Sequence, residues 1–260
     1  MDDIFMPALS VFDTHTHTQF AYCGEDVTAS AVIAKSREKG LRGVAITEHA
    51  PQLYCLRDDF WNAKHLFDPQ LWRTKETSRM PEYRQAVFPL RDEFVLVGFE
   101  VEVDSCGDLI ILDEDRKSAD LILGAVHWLN CDTSGMTPAQ EAVAFLKTCE
   151  QLLAGRVDVL AHPWRYFGRA KLPVPKELYP ELVAMLAATN TAAEINYHTN
   201  QPDADFFAMC MDRGVKISLG SDSHHMSEVG KFDNHLKTLN LAAGGRDISS
   251  LIYTPQRKAR

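Results

Sequence analysis

Asp13-Thr14-His15-Thr16-His17 closes the first apolar run of the chain, and the two-residue spacing of its histidines is that of one strand face. Side chains two apart in a strand point the same way, so Asp13, His15 and His17 project together. Two neutral imidazoles side by side at a strand's carboxyl end make half a site for a transition metal. The same kind of ending returns downstream in Thr47-Glu48-His49, Gly98-Phe99-Glu100, Ala125-Val126-His127, Ala161-His162-Pro163, Glu194-Ile195-Asn196 and Ser221-Asp222-Ser223-His224.

Each of these endings follows a short apolar run and precedes a polar turn. The pattern predicts strands over residues 10–15, 43–47, 94–103, 121–125, 157–161, 191–195 and 215–220. It predicts helices over residues 28–39, 138–153, 178–188 and 203–213, the first stopped by Gly40. Strands alternating with helices imply a parallel sheet, and seven or so in 260 residues imply a closed α/β barrel. All seven endings then converge on the carboxyl face of the barrel, where such folds place their active sites. Residues 50–82 are less regular, rich in Trp, Pro and charge, and are expected to form a long loop or small subdomain over the barrel mouth. The basic tail, residues 256–260, reads as a frayed terminus.

Composition narrows the function. The chain is 45% hydrophobic and 24% charged, with a net charge of −9, an ordinary globular balance that disfavours binding long polyanions through a basic surface. It shows no signal-peptide pattern and no run of about 20 apolar residues, so a cytoplasmic protein without a membrane span is expected. Six scattered cysteines with no CxxC read as reduced thiols in core or loop positions, with Cys23 given only a minor claim on a metal.

Histidine-plus-carboxylate donors suit Mn, Zn or Fe more than Mg or Ca. Six histidines and two or three carboxylates exceed what one ion takes, so two to three divalent transition-metal ions are expected. Their charge leaves a cationic pocket that would attract a phosphate and lower the pKa of a bound water. An acidic protein can thus carry an anion site. Past His162, Arg165 is a candidate to grip that phosphate in a bidentate manner, with Trp164, Tyr166 and Phe167 lining a pocket for an organic group and Arg169 read as an ordinary surface residue.

Taken in order, His-x-His, Thr-Glu-His, Gly-x-Glu, His, His-Pro, Glu-Ile-Asn and Ser-Asp-Ser-His resemble the polymerase-and-histidinol-phosphatase (PHP) family of metal phosphoesterases. The resemblance runs from His15 to His224. It implies a single domain with a distorted (β/α)7 barrel and, as a rule, three metal ions. It implies one ion on His15, His17, Glu100 and Asp222, a second sharing Glu100 with His127 and His162, and a third on His49 and His224. Many relatives have a further histidine after the first motif; here the segment reads Cys23-Gly24-Glu25-Asp26, and Glu25 is the expected substitute ligand, with Asp26 in reserve. Glu48 stands where aspartate is common and is expected to orient His49 or a water. Glu102 is the alternative bridging carboxylate, and Glu194 and Asn196 are expected around the site. His65, His198 and His235 are read as surface residues, and His225 as pointing away from His224.

The expected activity is hydrolysis of a small-molecule phosphate monoester by attack of a metal-bridging hydroxide, with Asp222, Glu100, Glu48 and Arg165 at the reacting centre. The alternatives are a phosphodiesterase or nuclease acting on nucleotides or short oligonucleotides, a non-catalytic metal-binding domain, and amide or lactone hydrolysis.

Overall fold

The structure is a computed structural model that describes residues 11–258. The acidic N-terminal residues, Ser10 of the first expected strand, and Ala259 and Arg260 of the basic tail lie outside the described residues.

Seven strands, β1 (Phe12–Thr16), β2 (Gly43–His49), β3 (Val95–Val101), β4 (Leu121–Gly124), β5 (Val159–Leu160), β6 (Ala192–Ile195) and β7 (Ile217–Leu219), form one sheet. Their spatial order is their sequence order, and every pairing is parallel. The first and last strands come together to give a nearly closed barrel. Thr14 Oγ1 lies 2.7 Å from Ser218 Oγ and donates to the carbonyl of Leu219 at 3.0 Å. Beyond β7, the backbone N–H of Asp222 donates to the His15 carbonyl and that of His17 to the Ser223 carbonyl. Hydroxyls and loop backbone thus stand in for part of a regular ladder at this seam, which is why the barrel is distorted.

Strand periodicity of two sorts the side chains into layers. On β2 and β3, Val44, Ile46, Val95, Val97, Phe99 and Val101 belong to the large apolar layer shared with the helices. Their alternates Ala45 and Leu96 join Leu121, Leu123, Ala125, Val159, Ala161 and Ala192 in a separate apolar cluster that fills the barrel. Continuing along the same inward rows, Leu96 leads through Gly98 to Glu100, Ala45 through Thr47 to His49, and Ala125 to His127. Small apolar residues plug the barrel below, and the donors stand on top of them.

The outer helices are α1 (Ala29–Glu38), α2 (Ala50–Tyr54), α3 (Arg57–Trp61), α4 (Gln70–Arg73), α5 (Met80–Val87), α6 (Asp113–Ser118), α7 (Pro138–Ala154), α8 (Arg165–Ala170), α9 (Tyr179–Thr189), α10 (Ala204–Asp212) and α11 (Asp233–Ala243). Thr28 caps α1 by accepting from the Ala31 N–H, and Thr137 opens α7 with a reciprocal Thr-x-x-Gln box. None of these helices is long and apolar enough to cross a membrane.

Two sequence expectations change, and one helix has no sequence signal. Of the long loop or small subdomain expected over residues 50–82, the loop is excluded: α2, α3, a 3-10 turn at Lys64–Leu66, and α4 pack Leu53, Tyr54, Phe60, Leu66 and Trp72 into the core. Helices of four or five residues are too short to display a 3.6-residue period, which hid them. α11 also escaped notice, because its buried face carries His235 and Thr238 where apolar residues would mark it. The tail is tied down as far as Lys258, whose N–H donates to Asp120 Oδ1 at 3.2 Å.

Candidate metal centre

Eight of the nine residues expected to bind metal, the eight that the strand endings supply, converge at the barrel mouth: His15, His17, His49, Glu100, His127, His162, Asp222 and His224, all buried. Among the described residues, His15, His17 and Asp222 bring one donor atom each within 4.8 Å of one another, as do His49, Glu100 and His127, and His17, His49 and His224. Glu100 is the hub. Its Oε1 lies 2.8 Å from His162 Nε2 and 3.5 Å from His127 Nε2, and its Oε2 lies 2.5 Å from His49 Nδ1 and 3.6 Å from His15 Nε2.

The outer ring nitrogens fix the tautomers. His15 Nδ1 faces Glu194 Oε1 at 2.9 Å, His17 Nδ1 faces Glu48 Oε1 at 3.0 Å, and His127 Nδ1 faces Glu102 Oε1 at 3.1 Å. His224 Nδ1 donates to the Asp222 carbonyl at 2.8 Å. A proton held on each Nδ1 leaves each Nε2 lone pair aimed inward. His15 Nε2 and His17 Nε2 then face each other at 3.2 Å, with Asp222 Oδ1 2.9 Å from the latter. Two lone pairs and a carboxylate cannot share a dry space without a proton or a cation between them. Glu100 Oε2, fully buried, has no aligned hydrogen-bond donor. Both observations fit divalent cations.

Charge follows from this crowding. Burial would raise the Glu100 carboxyl, but the imidazoles of His49, His127 and His15 outweigh it and hold Glu100 well below the usual carboxylate range. Asp222 is likewise buried and held well down by His15 and Arg165. Burial pushes His17 down, yet its hydrogen bonds to Asp222 and Glu48 lift it to about 9. His162 and His224, with less compensation, are driven by burial to about 3 and about 2. The carboxylates stay ionised and these two imidazoles stay neutral, the protonation states a metal requires.

Backbone strain collects at the same place. His162 and Asp222 have φ of 31° and 52°, in the left-handed region that residues with a Cβ avoid. Gly220 is required by close approach: a Cβ there would stand 1.9 Å from Glu194 Oε1. That space lets Glu194 reach His15 with one oxygen and accept from the His162 N–H with the other at 2.8 Å. Asn196 donates to Glu194 Oε2 at 3.1 Å and to Asp222 Oδ2 at 3.3 Å, so both residues surround the site as expected.

The remaining assignments need correction. Glu25 is exposed, its carboxylate 3.3 Å from His225 Nε2, and it is not gathered into the cluster; Asp26 turns the same way. Its backbone N–H is taken by the His224 carbonyl, which leaves the side chain on the outer side of the loop. Cys23 comes closer, with Sγ 3.5 Å from His49 Nε2. Burial pushes its thiol up to about 12. Glu48 supports His17 rather than His49, and accepts from Thr18 N and Oγ1 at 3.0 and 2.6 Å. Glu102 does not bridge: it lies between His127 and His65 Nε2, the latter at 2.7 Å. Arg165 is not free on a loop. It opens α8, is buried, and donates from Nη1 to Asp222 Oδ2 at 2.8 Å. Trp164, Tyr166 and Phe167 pack around Phe145 of α7 rather than lining a pocket over the site.

His65 and His235 are buried, not superficial. His65 stacks on Phe60 with ring centroids 5.0 Å apart, and His235 donates from Nε2 to the Gly220 carbonyl at 3.0 Å. His198 is half-buried, stacked on His224 at 4.4 Å and bonded to Glu228 at 3.1 Å. None of the three ends a strand, so the strand-end signal could not find them. His225 does point away, toward Glu25.

A cleft of about 270 Å³ opens over the cluster. His49, His127 and His224 form its floor, and Phe60, Trp61, Trp128, Arg165 and Arg169 stand in its walls.

An all-parallel seven-stranded barrel with these donors at its carboxyl mouth is the architecture of a metallohydrolase. The chain belongs to the PHP domain family, whose model matches residues 13–198. That match stops short of β7, Asp222 and His224, which complete the cluster. Two curated relatives, each named "Probable phosphatase", come from Acetivibrio thermocellus and Clostridium novyi. The first is 27% identical over 88% of this chain and 86% of its own length, the second 29% identical over 95% and 92%. A third, the "Probable phosphatase YcdX" of Escherichia coli, is 26% identical over 88% and 84%. Among solved structures, the histidinol phosphate phosphatase of Lactococcus lactis, complexed with zinc, L-histidinol and phosphate, shares the fold. It is 18% identical, with a TM-score of 0.56 over 90% of this chain and 92% of that one.

Proposed function

We propose that this chain is a metal-dependent phosphatase that hydrolyses a phosphate monoester of a small molecule. The observation that carries the reading is the Glu100 hub, a buried carboxylate without an aligned donor on Oε2, ringed by the inward nitrogens of His15, His49, His127 and His162. His15, His17 and Asp222 would hold one ion. Glu100 would be shared with a second on His127 and His162. His49 and His224 would hold a third, with Cys23, not Glu25, as the side chain near enough to complete it. Bound divalent ions would polarise the phosphoryl oxygens and bring a water's pKa toward neutrality.

The chain's own residues do the rest. Glu194, Glu48 and Glu102 keep the Nδ1 protons of His15, His17 and His127 and so keep each Nε2 available. Arg165 fixes Asp222 and adds positive charge to the cleft wall, where a phosphate oxygen would accumulate negative charge. The relatives' shared designation as phosphatases, across most of their length, supports this reaction class over amide or lactone hydrolysis.

The test is a panel of mono- and diesters given to protein stripped with chelator and reloaded separately with Mn, Zn or Fe. Release of phosphate from monoesters, restored by at least one metal, is expected. Turnover of diesters alone would replace the reading with a phosphodiesterase, and no turnover with any of the three metals would end it.

A further inference from the structure

The cleft walls carry an uneven set of charges. Among the described residues no aspartate or glutamate lines the cleft, whereas Arg165 and Arg169 both do. The carboxylates beneath it are engaged: Glu100 by histidines, Glu102 by His65 and His127, and Asp222 by His17 and Arg165. A cationic group on a substrate would therefore find no counter-ion there.

The two arginines differ in what they are free to do. Arg165 is spent on Asp222. Arg169 lies four residues further along α8, one helical turn away on the same face. Among the described residues no carboxylate lies within 4.0 Å of its guanidinium, which instead sits over the Trp128 ring at 5.0 Å. Burial by the cleft, with Arg165 beside it, lowers its pKa from the usual arginine value. Phe60, Trp61 and Trp128 line the cleft with aromatic surface, Phe60 meeting Trp128 edge to face at 5.4 Å and Trp61 edge to face at 5.1 Å. Flat apolar walls with one unneutralised guanidinium suit a flat organic group that bears an anion.

We propose that Arg169 is a specificity-determining residue that receives a second anionic group on the substrate, so that the preferred phosphate esters carry a carboxylate or a further phosphate on a flat organic moiety and those carrying an ammonium are disfavoured. The substrate class rests on the phosphatase reading above; the anion subsite does not. It departs from the histidinol ester named for the Lactococcus neighbour, whose amine would meet Arg169 instead of a carboxylate.

Two aryl phosphates of similar size test this: 4-(carboxymethyl)phenyl phosphate and 4-(aminomethyl)phenyl phosphate, with metal-loaded protein; the ammonium makes the better leaving group, so leaving-group acidity works against the expected preference. Arg169 is only partly covered by the cleft wall and still reaches solvent, so screening limits its effect, and a ratio of kcat/KM of roughly tenfold to thirtyfold in favour of the carboxylate is expected, mostly in KM. Arg169→Ala should bring the ratio to within about threefold of unity, and Arg169→Glu should invert it. The corresponding phosphonates, measured by calorimetry, read the same ratio without turnover. Equal affinity for the two phosphonates, or a preference that survives Arg169→Ala, overturns the subsite even if both esters are hydrolysed. An Arg169-dependent binding preference without hydrolysis of either ester keeps the anion subsite and removes the phosphatase.

Discussion

Glu102→Gln is the most informative single change. Glu102 is buried and accepts from two imidazoles, His127 Nδ1 at 3.1 Å and His65 Nε2 at 2.7 Å. Burial would raise its carboxyl, but those two hydrogen bonds hold it down at about 2, so it is an anion across the useful pH range. Glutamine keeps the shape and offers one acceptor and one donor group. Whichever way the amide turns, one imidazole faces an N–H instead of an oxygen. In either orientation His127 loses the anionic acceptor that makes its Nε2 a strong donor, and where the amide N–H faces Nδ1 that proton loses its acceptor altogether. A charge-assisted hydrogen bond of this kind contributes about 1.5–3 kcal/mol. Loss of the outer partner of a ligating histidine typically costs about 10–100-fold in metal affinity, the same range in free energy. Metal titration against a competing chelator should show about one ion per chain bound ten- to a hundredfold more weakly, with the others unchanged. His65→Leu is the control: it leaves the Glu102–His127 bond in place, so it should lower thermal stability by loosening the segment around Phe60 while metal affinity moves by less than about threefold. Metal affinity unchanged in Glu102→Gln, or weakened equally by His65→Leu, would refute the chain of support from Glu102 through His127 to the site.

Asp222→Asn, which strips the carboxylate shared by His17 and Arg165, should lower turnover by about a hundredfold or more and reduce bound metal by one equivalent while the protein still folds, as circular dichroism and elemental analysis would show. Unaltered turnover would remove Asp222 from the centre. In the cobalt-loaded protein, Cys23→Ser should abolish a near-ultraviolet sulfur-to-cobalt band, whereas Glu25→Gln should leave both the band and the metal content alone; no such band in the parent protein would exclude the thiolate. The pH dependence of stability should carry a contribution from His235, whose folded pKa burial depresses to about 4 from 6.5. The unfolded chain takes up that proton first, so stability is lost as pH falls from about 6.5 toward 4, by up to about 3 kcal/mol. In His235→Gln this acid limb should be shallower in chemical denaturation, and an identical slope would count against the burial argument.

Much of the barrel was legible because a parallel strand announces itself by an apolar run and a turn, and seven of these arrived in order. The converging donors were legible for the same reason, since strand-end positions on inward rows must meet. Boundaries were less so: the expected strand over residues 157–161 pairs regularly only at Val159–Leu160, because pairing depends on neighbours that the local pattern does not contain. Glu25 and Cys23 illustrate the limit at the site. They are two residues apart on a loop without a strand's fixed alternation, and which of them faces inward is decided by the contact between the Glu25 N–H and the His224 carbonyl, 199 residues away. Arg165 was visible as a cation near the mouth, but its engagement with Asp222 arises from the turn at Trp164, where φ is 73°. His65 reads as a surface residue in the sequence, since its role exists only once residues 50–82 fold back against Glu102.

The seam of the barrel has a consequence for how the molecule is made. Its hydrogen bonds join the first strand to the last, Thr14 to Ser218 and His15 to Asp222, across more than 200 residues of chain. Contacts of such sequence separation form late, because the loop-closure entropy must be overcome before they contribute. A nascent chain that has emerged from the ribosome only as far as β6 therefore holds His15, His17, His49, Glu100, His127 and His162 but lacks the segment that closes the barrel and brings Asp222 and His224. Metal captured at that stage would meet a half-built site with an open edge, so the full donor set exists only once the segment that carries β7, Asp222 and His224 has joined the first strand.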